Sequence, residues 1–322
     1  MTGRATHLTV GWGPWPDEPF LDMLREHCGA LDVHMTVCKD HNVSRVVAGV
    51  ESGRARVDLH LDMQADYEDE DDPYARLGYA VEDAGGMVVN DPDPAKACQN
   101  KAIIHYQLER AGIDVPYTVV VRNWRPATFS LTGAQRRRLG KRFIVKPARG
   151  FGKVGVVRVK TGSIKEITQA RRFDRGDDFL IQETVEPAWF GHHMGWFRVF
   201  CLLGEIIVCW WDTRTQHYTP LTVAEYVEHG LSPLVEMARG IAAATSMRFF
   251  STEIAVTGRG NARRFLSIDY VNDPCDTTLQ SHSHSGLPDD VARHMAEAFV
   301  AAAWRVGNGA PLSSPPSVWF AG

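Results

Sequence analysis

The feature that most limits what this chain can fold into is a glycine loop with strand-forming residues on both sides. Residues 143–159 read FIVKPARGFGKVGVVRV. Gly150, Gly152 and Gly155 spell GxGxxG, the spacing of a dinucleotide-binding turn. Such a turn needs a strand before it and a helix after it. Here the loop runs into Val156, Val157, Arg158 and Val159, which is strand chemistry. Strand, glycine loop, strand makes a hairpin flap. With no Cβ in the way, its backbone can approach phosphate oxygens and turn N–H groups toward them. Protein kinases cover their nucleotide with a similar flap. An ordinary hairpin turn is the alternative.

Lys146 weighs against that alternative. It sits in the apolar run IVKP just before the flap, where an unpaired ammonium is costly. A bound anion accounts for it more economically. Lys101, early in a helical stretch, is a second cation of the same kind. Farther along, Glu253 lies in STEIAV and Asp269 in LSIDYVN, both among apolar strand residues. Buried carboxylates need a partner. Together with Asn272 they offer hard oxygen ligands for Mg²⁺, which keeps several waters and bridges substrate phosphates. A salt bridge to Arg263 or Arg264 is the competing explanation, and Asp273 and Asp276 are neighbouring alternates.

The pattern around these residues is mixed α/β. Over 7–89, strands expected at 7–12, 32–37, 57–63 and 87–89 alternate with helices at 17–27, 42–50 and 73–83, which predicts a parallel sheet with helices on its faces. Asn42 is placed as a helix N-cap. The turn cluster NDPDP at 90–94 marks a boundary. A single helix over 95–110 follows, then strands at 117–121, 143–146, 156–160, 179–182, 197–203 and 205–211. A helix over 232–245 with Ser232 as cap, strands at 252–256 and 264–271, and a final helix over 288–305 complete the reading. The expected domains are an N-terminal parallel α/β domain over 1–92 and a second region over 93–322. Within that region a small lid spans about 117–184 and a C-terminal part 185–322.

The chain has 322 residues and a formal net charge of -4, which gives no basic footprint for nucleic acid. Six cysteines lack CxxC spacing and read as buried thiols in a reducing compartment. No stretch reaches the roughly 18 apolar residues of a membrane helix, and no signal peptide is visible. A soluble, cytoplasmic protein is expected. The acidic run DYEDEDD at 66–72, the basic triplet Arg136-Arg137-Arg138 and the SHSHS segment at 281–285 read as solvated loops or faces. His192 and His193 are placed near the mouth of the site.

The order of these features resembles the ATP-grasp superfamily over residues 90–272. The helix-to-strand run from Ala97 to Thr118, the flap, FLIQETVE at 179–186, FRVFCLLGEIIVCWW at 197–211 and TEIAV…FLSIDYVNDP are each similar to a part of that fold. The look is nearest to RimK-like carboxylate–amine ligases. The resemblance implies an ATP-grasp fold preceded by a parallel α/β domain. It implies that Lys101 and Lys146 contact ATP phosphates under Gly150 and Gly152. Gln182 and Glu183 would meet the adenine amino group, with Val185 offering a backbone amide and Glu186 reaching toward the ribose. Arg198 would stabilise the transferring phosphoryl group, with Lys146 assisting. Glu253, Asp269 and Asn272 would hold Mg²⁺, or Mn²⁺ in its place.

Two departures stand out. The position two before the inward arginine, often Asp in relatives, is Trp196. The usual Glu-x-Asn appears as Asp269-Tyr270-Val271-Asn272, so one extra residue must be absorbed by a bulge, or Asp273 completes the metal shell. The expected activity is ligation of a small-molecule or peptide carboxylate to an amine through an acyl-phosphate. A small-molecule kinase and a non-catalytic nucleotide-binding protein are the alternatives. No membrane or nucleic-acid partner is expected, and a homo-oligomer is compatible with the sequence. The loop over 212–231, with Asp212, Arg214 and His217, is expected to shape the acceptor pocket.

Overall fold

The computed structural model describes residues 5–13, 19–122, 129–150, 154–160, 163–170, 178–312 and 317–320. Four strands, β1 (Thr6–Gly11), β2 (Val33–Cys38), β3 (Leu59–Asp62) and β4 (Met87–Val89), pair in parallel in the order β2-β1-β3-β4. Helices α1 (Pro19–Leu31), α2 (Val43–Glu51) and α3 (Pro73–Asp83) connect them. This is the expected alternation. Helix α1 buries Phe20, Leu21, Leu24 and Cys28, spaced to form one apolar face. Asn42 precedes α2 as expected, but its side chain does not cap it. Asn42 Oδ1 instead accepts from the Lys39 N–H at 2.7 Å.

The single helix expected over 95–110 is two helices, α4 (Pro92–Cys98) and α5 (Lys101–Arg110). The break falls at Asn100, whose side chain accepts from the Ala102 and Ile103 N–H groups and so caps α5. That break makes Lys101 the first residue of α5, early in a helix as expected.

The lid is a four-stranded antiparallel sheet in the order β5-β8-β6-β7, built from β5 (Thr118–Val121), β6 (Phe143–Pro147), β7 (Val157–Val159) and β8 (Phe179–Glu183). Strands β6 and β7 pair from Phe143–Val159 to Val145–Val157, so the expected hairpin flap is formed. Helices α6 (Gly133–Leu139) and α7 (Ile164–Ala170) cover one face, burying Leu139 and Ile167 against Phe143, Val145, Phe179 and Ile181.

After a short hairpin of β9 (Trp189–Phe190) and β10 (His193–Met194), the chain builds the largest sheet. It contains β11 (Trp196–Leu202), β12 (Glu205–Asp212), β13 (His217–Pro220), β14 (Phe249–Thr257) and β15 (Arg264–Asn272) in the order β13-β12-β11-β14-β15. Between β13 and β14 lie α8 (Val223–Glu228) and α9 (Ser232–Thr245), and α9 packs on β11, β12 and β15. The N-cap of α9 is Leu231 rather than Ser232. Helix α10 (Asp289–Gly307) follows, and β16 (Val318–Trp319) adds a parallel strand beside β12. Strand β13, α8 and β16 were not expected from the sequence.

Helix α10 returns to the N-terminal layer and packs on α1, β1 and β3. Its stripe of Val291, Ala292, Met295, Ala296, Phe299 and Val300 is fully buried in a core shared by Leu8, Leu24, Phe200 and Phe249. Burying a side chain such as Phe299 contributes about 1.5–3 kcal/mol. The core therefore runs across the boundary expected at 92, which falls at the first residue of α4.

Asn90 pins this junction. It is 2 % exposed. Its Nδ2 donates to the Phe249 carbonyl at 2.6 Å and to Asp273 Oδ1 at 2.9 Å, and its Oδ1 accepts from the Arg248 and Phe249 N–H groups at 2.8 Å each. Buried donors and acceptors without partners cost about 1–3 kcal/mol each. Asn90→Leu should therefore lower thermal stability by about 2–4 kcal/mol overall, read as a fall of several degrees in the melting midpoint. A midpoint unchanged within a degree would show that these bonds do not hold the layers together.

Candidate nucleotide and metal site

Strand alternation decides what the lid offers to the site. Along β6 and β8, Lys146 and Gln182 point to one face while Val145, Ile181 and Glu183 point to the other. Lys146 is 6 % exposed. Its Nζ donates to the Ile268 carbonyl at 3.1 Å and lies 4.9 Å from the centre of the Tyr270 ring. Among the described residues no carboxylate stands within salt-bridge distance of it. Burial pulls its ammonium down to about 8; Asp269 opposes that shift and Lys101 adds to it.

Lys101 approaches the same space from α5. Its backbone N–H donates to the Ala148 carbonyl at 2.7 Å and its Nζ to the Gly150 carbonyl at 2.6 Å. Gly150 is exposed and adopts a φ of 128°, open to glycine alone. Gly152 lies outside the described residues. The acidic run at 66–72 is a mostly exposed loop, as expected, and it is tied down at both ends. Asp72 accepts from the Asp66 and Tyr74 N–H groups, and Glu68 reaches Arg149 of the flap at 3.3 Å.

The hinge residues divide. Gln182 is buried, donating to Thr118 Oγ1 at 3.1 Å and to the Tyr270 hydroxyl at 3.0 Å. That hydroxyl also meets His105 Nδ1 at 2.7 Å. Glu183 is turned away from Lys146. Its Oε1 accepts from the Tyr117 N–H at 2.8 Å, and its side chain lines an open cavity of about 320 Å³ with Glu109, Arg138 and Arg264. Its backbone N–H donates to the Tyr117 carbonyl at 2.9 Å. Val185 is half-buried and Glu186 exposed.

On the large sheet, Arg198 and Glu253 are cross-strand partners on β11 and β14. Arg198 Nη2 meets Glu253 Oε1 at 2.8 Å, with each side chain 12 % exposed. Burial works against the Arg198 charge, and Glu253, Tyr218 and Asp269 more than restore it, so its pKa is raised. The guanidinium lies 5.4 Å from the Trp211 ring, and its Nε–H is buried without a partner among the described residues. Trp196 Nε1 donates to the other oxygen of Glu253 at 2.9 Å. Arg263 and Arg264 are engaged elsewhere, with the His229 carbonyl and with Asp114.

Asp269 is the partner of Glu253 on β15. Burial would raise its carboxyl, but Lys101, Lys146 and Arg198, with a hydrogen bond from Asn272, bring it below the usual carboxylate range. The anticipated bulge is present and larger than expected. Between the pairs Ser251–Asn272 and Ile254–Ser267, β14 advances three residues while β15 runs five. Two extra residues are absorbed. Bulges re-aim side chains, and this one sets Asp269 and Asn272 side by side while Tyr270 turns inward toward His105. Asp273 faces Asn90 instead, and burial, aided by Asp62, pushes its carboxyl up to about 8.

The other expected features have local partners. Asp212 and Arg214 close on each other across a turn, with bonds of 3.2 and 3.1 Å. His193 stacks on Trp210 at 4.7 Å, and His284 of the SHSHS segment stacks on His217 at 4.7 Å. All six cysteines are buried as free thiols with pKa values raised by burial. Among the described residues no three His, Cys, Asp or Glu side chains form a metal cluster, and no helix is long and apolar enough to cross a membrane. Sequence reading missed Tyr270 and His105, and it treated Trp196 only as a departure. The signal for Trp196 was its N–H, which needs an acceptor when buried.

The residues fit a magnesium–nucleotide complex. Glu253, Asp269 and Asn272 are hard oxygen donors on paired strands. Among the described residues Lys146 is a buried ammonium with no carboxylate at salt-bridge distance, and the Arg198 Nε–H has no partner.

No family model matches the chain, and no curated protein matches it in sequence. Solved structures do. A RimK domain ATP-grasp protein from Sphaerobacter thermophilus shares 16% identity at a TM-score of 0.62, over 94% of this chain and 98% of its own. D-alanine–D-alanine ligase from Bacillus anthracis, complexed with ATP, shares 14% at 0.61, over 95% and 100%. The ATP-grasp ligase PsnB, solved with a precursor variant, Mg and ADP, shares 15% at 0.59, over 93% and 99%. The chain has the ATP-grasp fold.

Proposed function

We propose that the protein is an ATP- and Mg²⁺-dependent ligase joining a carboxylate to an amine. The observation that carries this reading is that Lys146 Nζ, under the flap, bonds the carbonyl of the residue next to Asp269. The lid cation and the acidic strands therefore face one space. The likeness to ligases that bind ATP, or Mg and ADP, supports it.

In this reaction a carboxylate oxygen of the substrate attacks the γ-phosphorus of ATP. The bond to the bridging oxygen breaks and ADP leaves. The amine nitrogen then attacks the acyl carbon, the C–O bond to phosphate breaks, and a proton is lost from nitrogen. Mg²⁺, when bound, would offset the negative charge of the transferring phosphoryl group. Glu253, Asp269 and Asn272 would hold it. Lys101 and Lys146 neutralise the phosphates, Gln182 and the backbone at Glu183 and Val185 meet the adenine, and Arg198 stabilises the charge of the transferring group. Glu186, exposed beside the hinge, would reach toward the ribose. The chain contributes position and charge, not a covalent nucleophile, in keeping with the buried state of every cysteine.

Hydroxylamine trapping tests this. With MgATP and a panel of small carboxylates and peptides, a ligase yields a hydroxamate and inorganic phosphate in step with ADP. ADP formed with neither product, but with a phosphorylated hydroxyl compound, would replace the ligase by a kinase. ATP binding with no ADP across the panel would leave a nucleotide-binding protein.

A further inference from the structure

Glu253 is held by two donors on two different oxygens, one from Arg198 at 2.8 Å and one from Trp196 at 2.9 Å. A glutamate has three side-chain torsions, and a single donor leaves its carboxylate free to swivel. Donors on both oxygens fix the plane of the group. Each ionised oxygen offers about two acceptor directions, so each retains one for a further ligand.

The backbone explains how the indole reaches. Trp196 lies two residues before Arg198 on β11 and so projects from the same face. Its cross-strand partner is Ala255, whose small side chain leaves room. Glu253 is the diagonal neighbour, within reach of a long aromatic side chain. An indole N–H can only donate. Committed to Glu253, it has no hydrogen bond left for a sugar.

We infer that Trp196 is the positioning residue for the Glu253 carboxylate, holding it in the orientation in which it takes the metal. This rests on the proposed function, in which Glu253 is a metal ligand. Groups that orient a metal ligand through hydrogen bonds typically change metal affinity about 10–100-fold when removed. A packing role alone would leave metal affinity untouched.

The test is Mn²⁺ binding to the full chain in the presence of AMP-PNP, read from the electron paramagnetic resonance signal of free Mn²⁺. Binding of AMP-PNP in EDTA serves as the second readout. Trp196→Phe removes the N–H. Placing benzothienylalanine at position 196 removes it while keeping the ring shape, so folding is preserved. Glu253→Gln is the reference. The expected result is Mn²⁺ binding weakened about 10-fold or more in both position-196 variants, with metal-free AMP-PNP affinity unchanged. If Glu253→Gln weakens Mn²⁺ binding and the benzothienyl variant matches wild type, Trp196 only packs and the inference is wrong while the metal site stands. If Glu253→Gln binds Mn²⁺ like wild type, or wild type binds none, the metal site itself fails and takes the inference with it.

Discussion

Lys146→Met should make the nucleotide-free protein more stable and make it unable to respond to ATP. The melting midpoint without nucleotide is expected to rise by about 2–4 °C. The further rise that MgATP gives the wild type should disappear, and turnover should fall by about 10²–10³. Lys146 is a buried ammonium that donates to a carbonyl, with no carboxylate at salt-bridge distance among the described residues. Burial brings it from 10.5 to about 8. A folded pKa below the unfolded one means that the charged form is disfavoured by folding. The penalty is about 3 kcal/mol on this shift, at 1.36 kcal/mol per unit. It is fully present below pH 8 and fades as the pH rises through 8 toward 10.5. Methionine removes the penalty but leaves the Ile268 carbonyl without its donor, so the net gain is smaller. The variant's advantage should therefore shrink as the pH rises through 8 and be lost before about pH 10. A triphosphate favours the ammonium, so its binding takes up a proton and weakens as the pH rises through about 8. Calorimetry in two buffers of different ionisation heat measures that uptake. A variant that melts lower and still responds to ATP would end the role assigned to this residue.

The parts of this site that were legible in the sequence are those where one residue type has few physical uses. Lysine in IVKP and carboxylates in STEIAV and LSIDYVN need partners, and the structure brings them to one space. The bulge in β15 was also legible, because Asp269 and Asn272 can share one face only if the register slips. Its full size was not, since the second extra residue falls between Glu253 and Ile254, where no motif marks it. The inward turn of Tyr270 follows from that slip. Glu183 was placed on the adenine with Gln182, yet neighbours on a strand point to opposite faces, so its side chain belongs to the hinge cavity. The break at Asn100 was hidden because the apolar pattern continues across it. Only the capping chemistry of Asn100 separates α4 from α5. In the stretch 212–231 the Thr222–Glu225 capping box was a readable helix start. Strand β16 has two residues and gets its place from distant partners, pairing with β12 and stacking Trp319 on His294, so nothing local could announce it.

Arg198→Leu should be the most damaging single change in the site, and for two separable reasons. Arg198 and Glu253 are each 12 % exposed, so their charges are little screened by solvent. Removing the arginine leaves a buried carboxylate without its cation, which typically costs about 3–5 kcal/mol. It also removes the group proposed to stabilise the transferring phosphoryl, with an expected loss of about 10²–10³ in turnover. The double variant Arg198→Leu with Glu253→Gln separates the two. Replacing both members of a buried pair by neutral groups is often close to neutral for stability. The double variant should therefore regain most of the lost melting midpoint while turnover stays lost. Arg198→Lys should restore neither fully. A lysine keeps the charge but cannot place one nitrogen on Glu253, another near Ser251 and a flat face on Trp211. If Arg198→Leu melts like wild type, the pair contributes nothing to folding. If the lysine variant turns over at the wild-type rate, charge alone is sufficient at this position and the planar geometry is incidental.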